Sequence, residues 1–394
     1  MIKLIPTVTP LYNAGFGVIG QPNFTSSVAA TTQNGLYAPT GAAIDSAGNL
    51  YVADYGNNRV LMYQPPFSNG MNASVVIGQA NFTSSVVATT QNGLSYPNGA
   101  AIDSAGNLYV ADYGNNRVLM YQPPFSNDMN AAVVIGQPNF TSSGTATTQN
   151  GLTKPFGVAT DSAGNLYIVD YDNNRVLIFQ PPFSNGMNAS VVIGQANFTS
   201  SVVATTQNGL SYPTGVAIDS AGNLYIVDHD NSRVMMYQPP FSSGMNASVV
   251  IGQANFTSSG TATTQNGLSY PFGVATDSAG NLYIVDYENS RVMMYQPPFS
   301  NGMNASVVIG QANFTSSGTA TTQNGLSYPF GVATDSAGNL YVADDNNNRV
   351  MMYQPPFSNG MNAGDINQSG YSLVVYPNNR KNIFYTPNAG ITKI

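Results

Sequence analysis

One histidine and no cysteine in 394 residues leave this chain few routes to covalent or metal chemistry. A Ser–His–Asp relay needs an imidazole beside its nucleophile, and zinc needs several Cys or His ligands. Neither set can be built around His229, which stands at a turn position where equivalent segments carry Tyr or Asp and reads as a substituted turn residue. Outside a repeated framework the acids are Asp128, Asp172, Asp230, Glu288, Asp345 and Asp365. Four of them, Asp172, Asp230, Glu288 and Asp345, fall in equivalent turns and would share one face. That spacing makes a solvated acidic rim rather than a calcium site, whose oxygens must converge to about 2.3–2.6 Å of the ion. The expectation is therefore no cofactor, no metal site, no catalytic residue and no enzyme.

Two other patterns carry chemistry. Asn23-Phe24-Thr25 recurs at Asn81, Asn139, Asn197, Asn255 and Asn313, and Asn72-Ala73-Ser74 recurs at Asn188, Asn246 and Asn304. The second pattern is lost at Asn130, where Ala132 replaces the serine, and Asn367-Gln368-Ser369 brings the total to eleven acceptor sequences. Asn-x-Ser/Thr in an exposed loop accepts an N-linked glycan, and the unmodified alternative is a local Asx turn. Before a repeated glycine stand Thr40, Asn98, Phe156, Thr214, Phe272 and Phe330. The three phenylalanines would either plug an axial funnel by packing on each other or stack a sugar or peptide there.

Composition narrows the partners. Charged residues make up 7% of the chain and the net charge is −7, while 42% of residues are apolar, ample for a core. Phosphate binding needs a Lys/Arg patch, so nucleic acid is not expected. No apolar run approaches the roughly 18 residues of a spanning helix, and Pro6 and Pro10 interrupt residues 1–15 where a secretory apolar region would lie. A surface so poor in charge favours carbohydrate or self-association, at the outside of a cell or particle.

These residues are positioned by a 58-residue unit written six times without insertion. The glycine of Val18-Ile19-Gly20 returns as Gly78, Gly136, Gly194, Gly252 and Gly310. Each unit holds four short apolar runs bounded by Gly and Asn; in the first they are 41–45, 49–54, 59–64 and 74–79, a pattern of strands joined by tight turns. No run keeps a 3.6-residue period over ten residues. Runs that are apolar on both faces suit sheets packed between neighbours, so the expected fold is an all-β propeller of six four-stranded blades.

The string Gly-Val-Ala-Thr-Asp-Ser-Ala-Gly-Asn-Leu-Tyr-Ile-Val-Asp-Tyr-Glu-Asn-Ser-Arg-Val at 273–292 resembles the NHL repeat, and all six units share it. The resemblance implies a six-bladed propeller. It implies little about activity, because the family spans scaffolds, RNA-binding domains, surface proteins and a few enzymes.

Most of the charge belongs to the repeat. Asp54 and Arg59 should face each other across a turn, as should Asp112 and Arg117, Asp170 and Arg175, Asp228 and Arg233, Asp286 and Arg291, and Asp344 and Arg349, each pair holding its hairpin. The chain supplies a fourth-strand sequence (16–21) before any first strand, so residues 1–15 read as an extension and 16–363 as a ring closed by its N-terminal strand. Residues 364–394 read as a β-rich tail. Segments 3–11, 371–376 and 382–385 then lack a place in the ring. They would fold back as a fifth strand, or add to free N–H and C=O groups on an outer blade edge of another copy and build a head-to-tail filament. The function expected is a non-enzymatic structural or interaction protein, with a carbohydrate- or peptide-binding module as the alternative and a propeller lyase or lactonase as a lesser one.

Overall fold

The computed structural model describes residues 17–364 and the short segments 372–374 and 384–386. Strand β1 is Val18–Ile19, and the first blade follows as β2 (Pro39–Ile44), β3 (Leu50–Asp54), β4 (Arg59–Tyr63) and β5 (Val75–Ile77), hydrogen-bonded in that order. Four further sheets repeat this antiparallel arrangement. The last blade has three strands of its own, Pro329–Thr334, Leu340–Asp344 and Arg349–Tyr353, and β1 supplies the fourth, with Val18 opposite Met351 and Ile19 opposite Val350. The N-terminal strand therefore closes the ring as the register of the repeat requires. The innermost strand starts two residues earlier than its apolar run, at Pro39, with a register shift before Gly41. The second turn winds into a short 3-10 segment, Tyr55–Asn57, ending on Asn58 in the left-handed region at φ 53°.

Every residue of β3 and β4 is buried, because each sheet is covered on both faces by its neighbours. The aromatic wedge at each junction is a tyrosine from one blade meeting edge-on a phenylalanine from the next. Tyr51 meets Phe125 at 5.6 Å, and around the ring Tyr341 meets Phe67 at 6.1 Å. At the axis the inner strands come so close that a methyl on Gly41 would strike the Asn98 carbonyl oxygen, and one on Gly331 the Thr40 oxygen. Only glycine leaves room for that approach, so the recurring glycine sets the radius of the ring.

The outer strands do not present the free edge that strand addition from another copy would need. The Val76 N–H donates to Asn127 Oδ1 of the next blade at 2.9 Å, and Val18, Val134, Val250 and Val308 are held likewise by Asn69, Asn185, Asn301 and Asn359. Ser243 Oγ takes this place for Val192. The following residue returns the favour at most junctions, as where the Gly70 N–H donates to the Val18 carbonyl. A loop of each blade thus caps the edge of its predecessor, which removes the exposed-edge hazard within the molecule. Of the segments left over from the ring, Ser372–Val374 and Phe384–Thr386 pair with each other antiparallel. Residues 3–11, Asp365 and Asn367 lie outside the described residues.

Candidate functional site: the channel mouth

The turn between β3 and β4 points towards one end of the axis, and its first charge is spent on structure. Arg59 Nε donates to Asp54 Oδ2 at 2.7 Å with both side chains fully buried, and the other five pairs match at 2.6–2.8 Å. The pair does more than hold a hairpin. Asp54 also accepts from the Tyr37 N–H and Asn57 Nδ2, while the guanidinium donates to the Thr32, Gly35 and Phe82 carbonyls. One buried arginine thereby ties two long loops to its blade. Burial pushes the carboxylates up, to about 6 for Asp112, and the guanidinium with its companion donors pulls the other way. The second repeated aspartate is equally occupied: Asp45 accepts from Asn49 Nδ2 and the Tyr51 hydroxyl.

Side chains beyond this frame form the mouth. Phe156, Phe272 and Phe330 stack on one another over the axis, with centroids 4.1 Å apart for Phe272 and Phe330 and 5.5–5.7 Å for Phe156 with each. Thr40, Asn98 and Thr214 complete this inner ring, above an axial space of about 70 Å³. Outside it lie the turn residues Tyr55, Tyr113, Tyr171, His229, Tyr287 and Asp345, and Phe272 touches both His229 and Tyr287 at 4.3 and 4.6 Å. An outer tier of Tyr96, Tyr212, Tyr270 and Tyr328 covers four of those turn residues at 5.1–5.3 Å. The plugging arrangement and a continuous aromatic face thus occur together. The tyrosines were invisible as a site in the sequence, where each is one letter of a turn; the signal that could have found them is their recurrence beside the phenylalanine position.

His229 sits in this crown with Nδ1 3.0 Å from the Pro271 carbonyl, and burial lowers its pKa. It is a packed turn residue with Asp230 3.8 Å from Nε2. The four leftover acids do share this face, but Asp172 is paired with Lys154 at 3.0 Å. Among the described residues no three His, Asp or Glu side chains gather as a metal ion would require. Asp128 stands elsewhere, accepting from Asn92 Nδ2.

The ten described acceptor asparagines are all exposed. In the Asn23 set the side chain forms an Asx turn, its Oδ1 accepting from the Thr25 N–H at 3.0 Å and the Thr25 hydroxyl at 2.9 Å, with the same pair of bonds in all six loops.

The NHL repeat profile matches six segments of the chain, 36–63, 94–121, 152–179, 210–235, 268–293 and 326–351. Mouse (Mus musculus) peptidyl-glycine alpha-amidating monooxygenase is 26% identical over 226 residues, which is 57% of this chain and 21% of the mouse protein. The chain thus spans about a fifth of that relative's length. Among solved structures, a protein of unknown function from Bacteroides thetaiotaomicron superposes with TM-score 0.55 at 16% identity, covering 86% of this chain and 75% of the other. A gluconolactonase from Xanthomonas campestris gives 0.51 at 12%, covering 86% and 95%. At these identities the likeness is one of fold.

Proposed function

The chain is an NHL-repeat β-propeller, and from that premise we propose that it acts without catalysis, as an interaction protein that binds through its aromatic mouth and displayed loops. The observation that carries this reading is the mouth itself: rings in continuous contact, with Tyr96 42% and Tyr270 39% exposed. Contiguous apolar surface rimmed by polar groups marks an interaction site, and tyrosines offer area with a polar tip to sugars and peptides alike. The test is a glycan array and a peptide library probed with the wild type and with a Tyr96→Ser, Tyr212→Ser, Tyr270→Ser variant. Binding that the variant loses while its melting temperature holds supports the reading; hits unaffected by the variant would overturn it. The gluconolactonase suggests a lactonase as the competing function, and turnover of gluconolactone by the pure chain would establish that instead.

Self-association is a second reading, favoured by apolar side chains held in water on the loops: Val28, Val86 and Val202 are 67–73% exposed. Since the blade edges are capped, assembly would run through these loops or through 364–394. Light scattering of the full chain, and of a chain ending at Ala363, tests it; a monomer at high concentration in both would exclude it. Glycans on the Asn23 and Asn72 sets would suit an extracellular or surface location, and an intact mass equal to the bare 41.4 kDa in a glycosylating host would exclude them.

A further inference from the structure

At five of the six blade junctions the turn residue of one blade is covered by a side chain from the next. Tyr55 lies under Tyr96, Tyr171 under Tyr212, His229 under Tyr270 and Tyr287 under Tyr328, while Lys154 reaches Tyr113. At the junction that closes the ring the turn residue is Asp345, and the residue from the next blade is Ala38. The missing ring has moved one position: Tyr37 packs over Gly56 instead. The crown therefore has a notch, with a carboxylate in place of an aromatic base and a methyl in place of its cover. Among the described residues no donor reaches that carboxylate, although it is partly buried. Its charge is felt by the Tyr55 and Tyr287 hydroxyls on either side, which burial already raises.

We propose that this notch binds an organic cation, an ammonium or guanidinium head on an apolar body, with Asp345 as counter-ion and the tyrosine rings as walls. Charge complementarity selects the sign. Among the described residues the mouth carries four carboxylates, Asp172, Asp230, Glu288 and Asp345, against the one ammonium of Lys154, which Asp172 already holds. Faces of tyrosine attract a cation as well, and the stacked phenylalanines offer its apolar body a floor. This assignment rests on the mouth being a binding face and names the ligand class it takes.

Benzylammonium and its neutral counterpart benzyl alcohol are suitable probes, titrated by ligand-observed NMR at about pH 8, where carboxylates are ionised even when burial has raised them. Benzylammonium should bind the wild type about tenfold more tightly, the effect of one partly desolvated ion pair with cation–π support. In Asp345→Asn, and in Asp345→Tyr, which restores the residue of four other blades, the ratio should fall to about one with the melting temperature held or raised. Glu288→Gln should keep most of it. A ratio near one in the wild type, or one that survives both Asp345 variants, overturns the cation site while leaving a binding mouth intact. Failure of both probes to bind at all removes the mouth as a binding face, and this assignment with it.

Discussion

A single hydroxyl repeated through the blades shows how closely the repeat fits its core. Tyr63, Tyr121, Tyr237, Tyr295 and Tyr353 are fully buried with hydroxyls that find no hydrogen-bond partner among the described residues, and the third blade carries Phe179 at the same place. A buried orphan hydroxyl costs about 1–3 kcal/mol, so Tyr237→Phe should keep or raise the melting temperature, and Phe179→Tyr should lower it; thermal denaturation of both variants checks the sign. Asp345 offers a second test through pH. Burial, and then the neighbouring Asp344 charge, raise it from 3.8 to about 7. Below about pH 4 it is protonated folded and unfolded alike, and contributes nothing. Between about 4 and 7 the unfolded chain ionises it while the fold keeps the proton, so stability falls as pH rises, and above about 7 the whole cost remains. Asp345→Asn should therefore stabilise the protein at pH 8 by about 1–2 kcal/mol, a figure reduced because the side chain is partly open to water, and do little at pH 4. Urea unfolding at the two pH values measures the difference; equal effects would show that the carboxyl is solvated.

At the scale of the elements, the turn that enters the third strand distinguishes blades that are otherwise copies. Asn58 sits in the left-handed region, donates its Nδ2 to the Ser85 carbonyl and accepts the Tyr96 N–H on Oδ1 at 2.8 Å, bolting one blade to the loop of the next. Blades four and five put Ser232 and Ser290 at the same positive φ, and each hydroxyl accepts the corresponding N–H only at 3.3 Å. Asparagine tolerates this conformation better than serine, so Ser232→Asn and Ser290→Asn should each stabilise by about 0.5–1 kcal/mol and add, being in separate turns. Differential scanning calorimetry of the single and double variants would show it. Such turns explain what could be read in advance. Four apolar runs and the Asp/Arg spacing determine strand order and the buried pairs, because those depend on neighbours along the chain. The mouth was legible at the phenylalanine position and in the four acids of the second turn. Its tyrosine tiers, the arginine's hold on two loops and the capped outer edges come from residues 20 to 60 positions apart meeting across a junction, which no local pattern states.

For the whole molecule, the consequential junction is the one the chain does not make in sequence. Five blades are continuous, whereas the sixth borrows β1, and the closure is held at every radius. Gly331 packs on Thr40 at the axis, the Ala38 N–H donates to Asn348 Oδ1 at 2.8 Å, Tyr341 meets Phe67, and Gln21 Nε2 donates to the Asn348 carbonyl. Val18 and Ile19 are wholly buried in this seam, one on each side of the borrowed strand: Val18 joins the core shared with the fifth blade and Ile19 the core shared with the first. Removing residues 1–21 should therefore strip two buried aliphatic side chains, about 3–6 kcal/mol by transfer alone, and bare the Val350 and Met351 edge to pairing with other chains. The expected outcome is a lower melting temperature accompanied by aggregation on heating. Grafting residues 17–21 after Gly364, so that the last blade receives its outer strand in register from the other end of the chain, should restore the melting temperature. A deletion that melts like the full chain, or a graft that fails to recover it, would mean the ring is held by its inner strands alone.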